Sequence, residues 1–221
     1  NLGYFGGARL GFKKFKELND KLPEYLIVCN SDVYFKSKIF FQKLVNHKYN
    51  SNIGVIAPAI ISNQLNADKN PKIQKRPSNI KMHLYKILFY SRISQNFYIL
   101  LHLIKYSLLK LFKKLMKQKN SKHEYLSKKI YAPHGSLIIF TKNYFQNGGS
   151  LDYPCFLFNE EVFVAETVRE LKMQILYDNE LVVYDNEHVS TGIMRSRKIA
   201  KYVSISSKYI AEKYFSRVWR I

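Results

Sequence analysis

The chain's 221 residues are enough for one domain with a substantial core, or for one core with an appendage. Its 47% hydrophobic and 15% aromatic content excludes a wholly disordered chain, and a formal net charge of +20 directs it towards phosphate-rich partners, either nucleic acid or anionic lipid. Two cysteines, Cys29 and Cys155, are too few for a disulfide framework and point to a reducing, cytosolic setting.

The first residues lack the order of a signal peptide, and the start at Asn1 reads as a piece of something longer. No stretch reaches the roughly 18 uncharged apolar residues that span a bilayer. In chain order, a Gly-rich loop precedes a helix from about Leu10 to Asn19. A buried strand follows at Tyr25, in "YLIVCNSDVYF", then a helical pattern around Ser37 to His47 and a second buried strand, "IGVIAPAII", from Ile53. This alternation is the pattern of βαβ units with a parallel sheet.

After Ile61 the character changes. Between Lys72 and Lys129 there are 15 Lys and Arg against one acid, Glu124. Leu101, Ile104, Leu108, Leu111 and Leu115 share one helical face, with Lys105, Lys110, Lys113, Lys114 and Lys117 off it. Such a helix can lie on an anionic membrane, or it can pack on its own domain with a solvated lysine face. Nucleic acid ranks third, because stacking aromatics are not regularly interleaved with the lysines. Residues 72–129 are therefore read as a basic amphipathic helical insertion into a domain formed by 1–71 and 130–221.

Regular α/β character returns with "KIYAPHGSLIIF", a loop into a strand at Leu137 to Phe140. "NGGSLDYPCFLFNEE" follows as a turn, an aromatic patch and paired acids. Glu161 to Leu171 reads as a helix, and "MQILYD" and "LVVYD" as two short strands.

Three places end apolar segments with potentially reactive residues: Asn30 to Asp32, Glu160 with Glu161, and "YDNEHVSTG" around His188. Ligands in open α/β sheets bind outside the carboxyl ends of the strands. A divalent ion on a diphosphate takes hard oxygen ligands that histidine can supplement, and a general base needs a carboxylate beside the acceptor hydroxyl. Asp32, His188 and one of the two glutamates could supply these parts. Equally, Asn30 to Asp32 could be a plain turn, the glutamates could charge a helix start, and His188 could be a surface loop residue.

Taken together, the segments resemble the inverting family 2 glycosyltransferases of the GT-A fold, in particular their rhamnosyltransferase-like branch. "NLGYFGGARLG" resembles the family's Asn-x-Gly, Gly-rich segment. "CNSDVYF" resembles its variant of the metal-binding Asp-x-Asp motif, with Ser31 in place of proline and Asn30 in place of the first acid. "HGSLIIF" with "GGSLDYPCFLFNEE" resembles its Gly-containing strand and paired-acid segment, and "VVYDNEHVSTG" its terminal strand and histidine loop. Arg9 departs from a usual asparagine.

The resemblance implies an α/β fold with a GT-A-like mixed, mostly parallel sheet flanked by helices. It implies transfer of a sugar, with inversion, from a nucleotide diphosphate sugar donor to a hydroxyl of a glycan or lipid-linked glycan, at the cytoplasmic face of the cell membrane. Asp32 and His188 would hold Mg2+ or Mn2+. Glu161 would be the base and Glu160 would orient the acceptor. Asn1, Gly3, Asn30, Asp32 and Gly135 would shape the donor pocket. The family's first βα units, with a base-binding strand and an early aspartate, would precede Asn1. The rival reading is a noncatalytic basic protein, peripheral on the membrane and degenerate from the same fold.

Overall fold

The structure, a computed structural model, describes residues 1–64, 66–115, 128–186 and 196–216, without the side chains of 102 and 106–115. The elements run α1 (Tyr4–Leu18), β1 (Tyr25–Cys29), β2 (Val33–Tyr34), α2 (Ile39–Asn46), β3 (Ile53–Ser62), β4 (Ala67–Asp68), α3 (Asn79–Leu88) and α4 (Arg92–Leu115). They continue with β5 (Lys128–Ile130), β6 (Leu137–Thr141), α5 (Lys142–Gln146), α6 (Glu160–Glu170), β7 (Gln174–Asp185) and α7 (Arg197–Tyr214). Two compact units result: Asn1–Pro77 with Leu126–His188, and Ser78–Tyr125 with Val189–Ile221.

The first unit is α/β, built on a seven-stranded mixed sheet in the order β1-β6-β3-β7-β2, with β4 on β3 and β5 on β7. The expected mostly parallel pairing is corrected: only β3 with β7 is parallel among the described pairs. The reason is β6, which runs antiparallel between β1 and β3. Its short apolar run carries no mark of direction, since a strand buried on both faces reads the same either way.

Alternate residues of β6 serve the two faces of the sheet. Leu137 and Ile139 join Phe40 and Leu44 of α2 with Ile56 and Ile60 of β3 in one cluster. On the other face, Phe5 of α1 is fully buried and meets Phe140, Tyr153 and Phe163 edge-on, with ring centroids 6.3, 6.3 and 6.1 Å away. Burying a large aromatic is worth about 2 kcal/mol. Phe5 and Phe12, seven residues apart on one helical face, are the buried residues of α1. Their burial explains why the helix begins at Tyr4 and runs through Gly6 and Gly7, where a loop was expected, since tertiary packing overrides glycine's low helix propensity.

The two expected terminal strands are one, β7. Its ladder with β3 shifts register between Pro58/Asp178 and Ala59/Val182, so the residues after Asp178 bulge out. Pro58 has no N–H for the ladder, and proline in an interior strand is tolerated at such a bulge.

The second unit is helical. Ser78 and Ser196 accept bonds from the N–H groups of Lys81 and Ile199, capping α3 and α7. The expected helix appears as α4, and α7 packs with α3 and α4 in the same unit. Gln95, fully buried on α4, donates to the carbonyl of Ala200 at 2.8 Å, and Lys86 pairs with Glu212 at 2.7 Å. Residues 72–77 stay with the sheet through the Ile73 to Ala132 bridge and the Arg76 to Glu166 pair at 2.7 Å. Among the described residues no helix is long and apolar enough to cross a membrane.

Candidate functional site

Because β6 is antiparallel to both β1 and β3, and β7 is parallel to β3, the strands β1, β3 and β7 point the same way. Their carboxyl ends therefore share one edge of the sheet. Cys29 is paired there with Leu137, and Ser62 with Asp185. The segments after β1 and before β6 are tied by the N–H of Asn30, which donates to the Ser136 carbonyl at 2.9 Å.

A cavity of about 380 Å³ opens at this edge, lined by Asn1, Gly3, Tyr4, Asn30, His134, Gly135, Ser136, Phe156, Leu157, Phe158, Glu160 and Glu161. Six expected site residues from four distant segments thus converge: Asn1, Gly3, Asn30, Gly135, Glu160 and Glu161. Each is held by local chemistry. The Asn1 side chain accepts from the Gly3 N–H at 3.0 Å. Gly3 sits at φ +77, and a Cβ there would lie 2.0 Å from the Phe156 carbonyl oxygen, so only glycine lets the start of α1 meet this loop. Tyr4 donates its hydroxyl to the Gly135 carbonyl at 2.7 Å.

The paired acids are aimed by a left-handed turn. Phe158 and Asn159 both have positive φ, 74 and 64, a conformation that costs about 1 kcal/mol or more per residue. Tyr153 anchors the turn by donating to the Phe158 carbonyl at 2.5 Å. Glu160 and Glu161 then occupy the first turn of α6, where the helix dipole favours carboxylates. Glu160 is buried, and its carboxyl is pushed up to about 7, first by burial and then by the charge of Glu161. Glu161 faces Gly135, where an added Cβ would lie 3.2 Å from its Oε1.

Asp32 stands beside the cavity rather than on its wall. Its carbonyl accepts the Asn186 N–H at 3.1 Å, and the next residue, Val33, pairs with Asp185. Asp185 Oδ2 pairs with Lys69 Nζ at 2.9 Å. The Oδ1 atoms of Asp32 and Asp185 are both buried without a hydrogen-bond partner among the described residues. Buried carboxylate oxygens are costly when unsatisfied, and hard divalent cations take such oxygens as ligands. Two such carboxylate oxygens are the kind of ligand a magnesium or manganese ion takes. His188, the other expected ligand, lies outside the described residues. Among those described, no group of three or more His, Cys, Asp or Glu is arranged to hold a metal.

Three residues join the site without having been singled out by the sequence reading: Tyr4, His134 and Asp185. The Tyr4 phenol is pushed up by burial, then by the charges of Cys29, Glu160, Glu161 and Asp32, so it stays a neutral donor in an acidic setting. His134 accepts the Ser136 N–H at 3.2 Å through Nδ1. Burial, then Lys72 and Lys69, push its imidazole down to about 3. It is neutral at physiological pH, with Nε2 as the protonated nitrogen. Its signal lay in "PHGSL", immediately before Gly135. Asp185 ended an apolar run as Asp32 did, but the neighbouring His188 drew the reading instead.

A larger cavity, about 600 Å³, lies along α1 beside Arg9, Lys13, Phe145 and Asp152 and holds none of these acids. Its Arg9 to Asp152 pair, at 3.4 Å, is exposed on both sides and worth little. Set beside family models, curated proteins and solved structures, the chain matches none of them.

Proposed function

We propose that the chain carries most of a GT-A-type glycosyltransferase site, moving a sugar from a nucleoside diphosphate sugar to a hydroxyl of a glycan or lipid-linked glycan with inversion. One observation supports this above the others: Asn30, Gly135, Glu160 and Glu161 line one cavity at the carboxyl edge of the sheet, and Asp32 and Asp185 each keep a buried carboxylate oxygen without a partner among the described residues.

In this reading the acceptor hydroxyl lies against Glu161. As its oxygen forms the new bond to the anomeric carbon, the carbon's bond to the diphosphate breaks and the electron pair leaves with the nucleoside diphosphate. The hydroxyl proton passes to the Glu161 carboxylate. Attack opposite the leaving group inverts the centre. Glu160, which holds its proton up to about pH 7, donates to and orients the acceptor. His134 and Gly135, which line the same cavity, would lie beside the donor sugar. Asp32, with Asp185 as a second oxygen ligand, would hold a magnesium or manganese ion, which when bound neutralises charge on the diphosphate.

The test is calorimetric titration of the full-length protein with UDP, GDP and dTDP, with and without manganese, followed by transfer assays on the sugar nucleotide whose base binds. Metal-dependent binding of one nucleotide that Asp32→Asn weakens, with transfer that Glu161→Gln abolishes, supports the reading. Absence of nucleotide binding in the presence of metal overturns it.

A further inference from the structure

Within the helical unit, α3 and α4 leave several large apolar side chains uncovered. Among the described side chains, Met82 is the buried position of α3 and Gln95 that of α4, and Gln95 is satisfied by the carbonyls of Phe89 and Ala200 at 2.7 and 2.8 Å. Opposite Met82 on the helical wheel stand Ile80, Leu84 and Ile87, all exposed, Ile80 by 75%. Opposite Gln95 stand Ile93, Phe97 and Ile104, also exposed, Ile93 by 84%. An amphipathic helix normally buries its apolar stripe on its own core. Among the described side chains of α4 the buried one is a glutamine, with Tyr98 packed edge-on against Tyr85 and Phe89, while the apolar residues opposite face solvent.

The surrounding charge says what meets them. Arg92, Arg197 and Lys201 line a cavity of about 340 Å³ beside Tyr90 and Ile205. Among the described residues of this unit the single acid is Glu212, and Lys86 already holds it at 2.7 Å. Exposed apolar side chains on two helices, in a unit that also holds a cationic cavity and no unpaired acid among its described residues, complement an anionic lipid surface. One-signed surroundings favour a uniformly anionic surface over a partner of mixed charge.

We propose that the outward stripes of α3 and α4 dock this protein on anionic bilayers. Their apolar side chains enter the boundary between headgroups and acyl chains, while Arg92, Arg197 and Lys201 bind lipid phosphates. The proposal does not depend on glycosyl transfer.

The test is sedimentation of the full-length protein with vesicles of phosphatidylcholine, alone or mixed with phosphatidylglycerol, at low and high salt. Binding is expected to the mixed vesicles only, with a remainder that survives high salt. Ile93→Ser with Phe97→Ser should lower partitioning by about tenfold or more and remove that remainder. Arg197→Glu with Lys201→Glu should weaken the low-salt binding. Circular dichroism should show both variants folded, since the altered side chains are exposed; Ile80→Ser with Leu84→Ser is the replacement should the first pair unfold. Equal binding to both vesicle types, or binding unchanged in all variants, overturns the proposal. So does a concentration-dependent dimer that Ile93→Ser with Phe97→Ser dissolves, because the stripes would then cover a second copy of the chain.

Discussion

Gly135 and Glu161, 26 positions apart in sequence, meet across the cavity so closely that a methyl group on Gly135 would lie 3.2 Å from Glu161 Oε1 and 3.4 Å from its Cδ. The glycine leaves room for the carboxylate. Because the obstructed group is the far end of a flexible side chain, Gly135→Ala should leave the melting temperature nearly unchanged while displacing the base. Transfer should then fall by about tenfold to a hundredfold, as expected for a misplaced general base. Glu161→Gln should cost roughly a hundredfold or more in kcat with donor affinity intact. Equal kcat in Glu161→Gln and wild type removes Glu161 from the mechanism.

Asp32 and Asp185 each keep one buried carboxylate oxygen without a partner among the described residues. If the pair answers to a cation, manganese should raise the melting temperature of the wild-type protein, and Asp32→Asn should abolish that shift. Asp185→Asn should reduce it as well while also loosening Lys69, whose ammonium lies 2.9 Å from Asp185 Oδ2. A manganese shift of equal size in Asp32→Asn would remove Asp32 from the metal's ligands. Differential scanning fluorimetry with and without chelator gives the readout independently of turnover.

Glu160 gives a pH dependence of definite sign. Its carboxyl, ordinarily near 4.5, is raised to about 7 by burial and by Glu161, so the folded state holds a proton that the unfolded state has released. Stability from this group is fullest below pH 4.5 and is lost as the pH rises to about 7. Glu160→Gln, which cannot ionise, should be more stable than wild type at pH 8, by about 2 kcal/mol, and no more stable at pH 4. Urea titrations at the two pH values decide it; a gain that is equal at both would mean Glu160 is ionised throughout.

Glu166 has the opposite sign. It is fully buried and opposed by burial, yet hydrogen bonds from Arg76, Tyr131 and Arg169, at 2.7, 2.7 and 2.9 Å, hold its carboxyl below the usual range. Its contribution is present above about pH 4.5 and disappears on further acidification. Arg76→Ala leaves a buried carboxylate short of a partner and should cost about 3 kcal/mol at pH 7, much less at pH 3. Because Arg76 precedes α3 and Glu166 lies in α6, the same variant should speed proteolysis around residues 72–77.

Much of this molecule was legible in order along the chain. The strands β1, β3 and β6, the helices α2 and α6 and the long basic α4 follow from apolar runs and periodicity, which are local properties. Some of the chemistry was legible too: Asn30 stops an apolar run at the sheet's edge and the paired acids Glu160 and Glu161 open a helix, and all three line one cavity. Pairing direction was not legible, because a strand such as Leu137–Thr141, buried on both faces, carries no sign of which way it runs. The fusion of two expected strands into β7 depended on a proline in its neighbour, and the start of α1 on rings contributed by β6 and α6. Only tertiary structure could neutralise His134, since the burial and the lysines that act on it come from segments far from "PHGSL". It likewise decided which side of α3 and α4 faces water. Periodicity reports that a helix has an apolar stripe, whereas its direction follows from the packing that buries Met82 and Gln95.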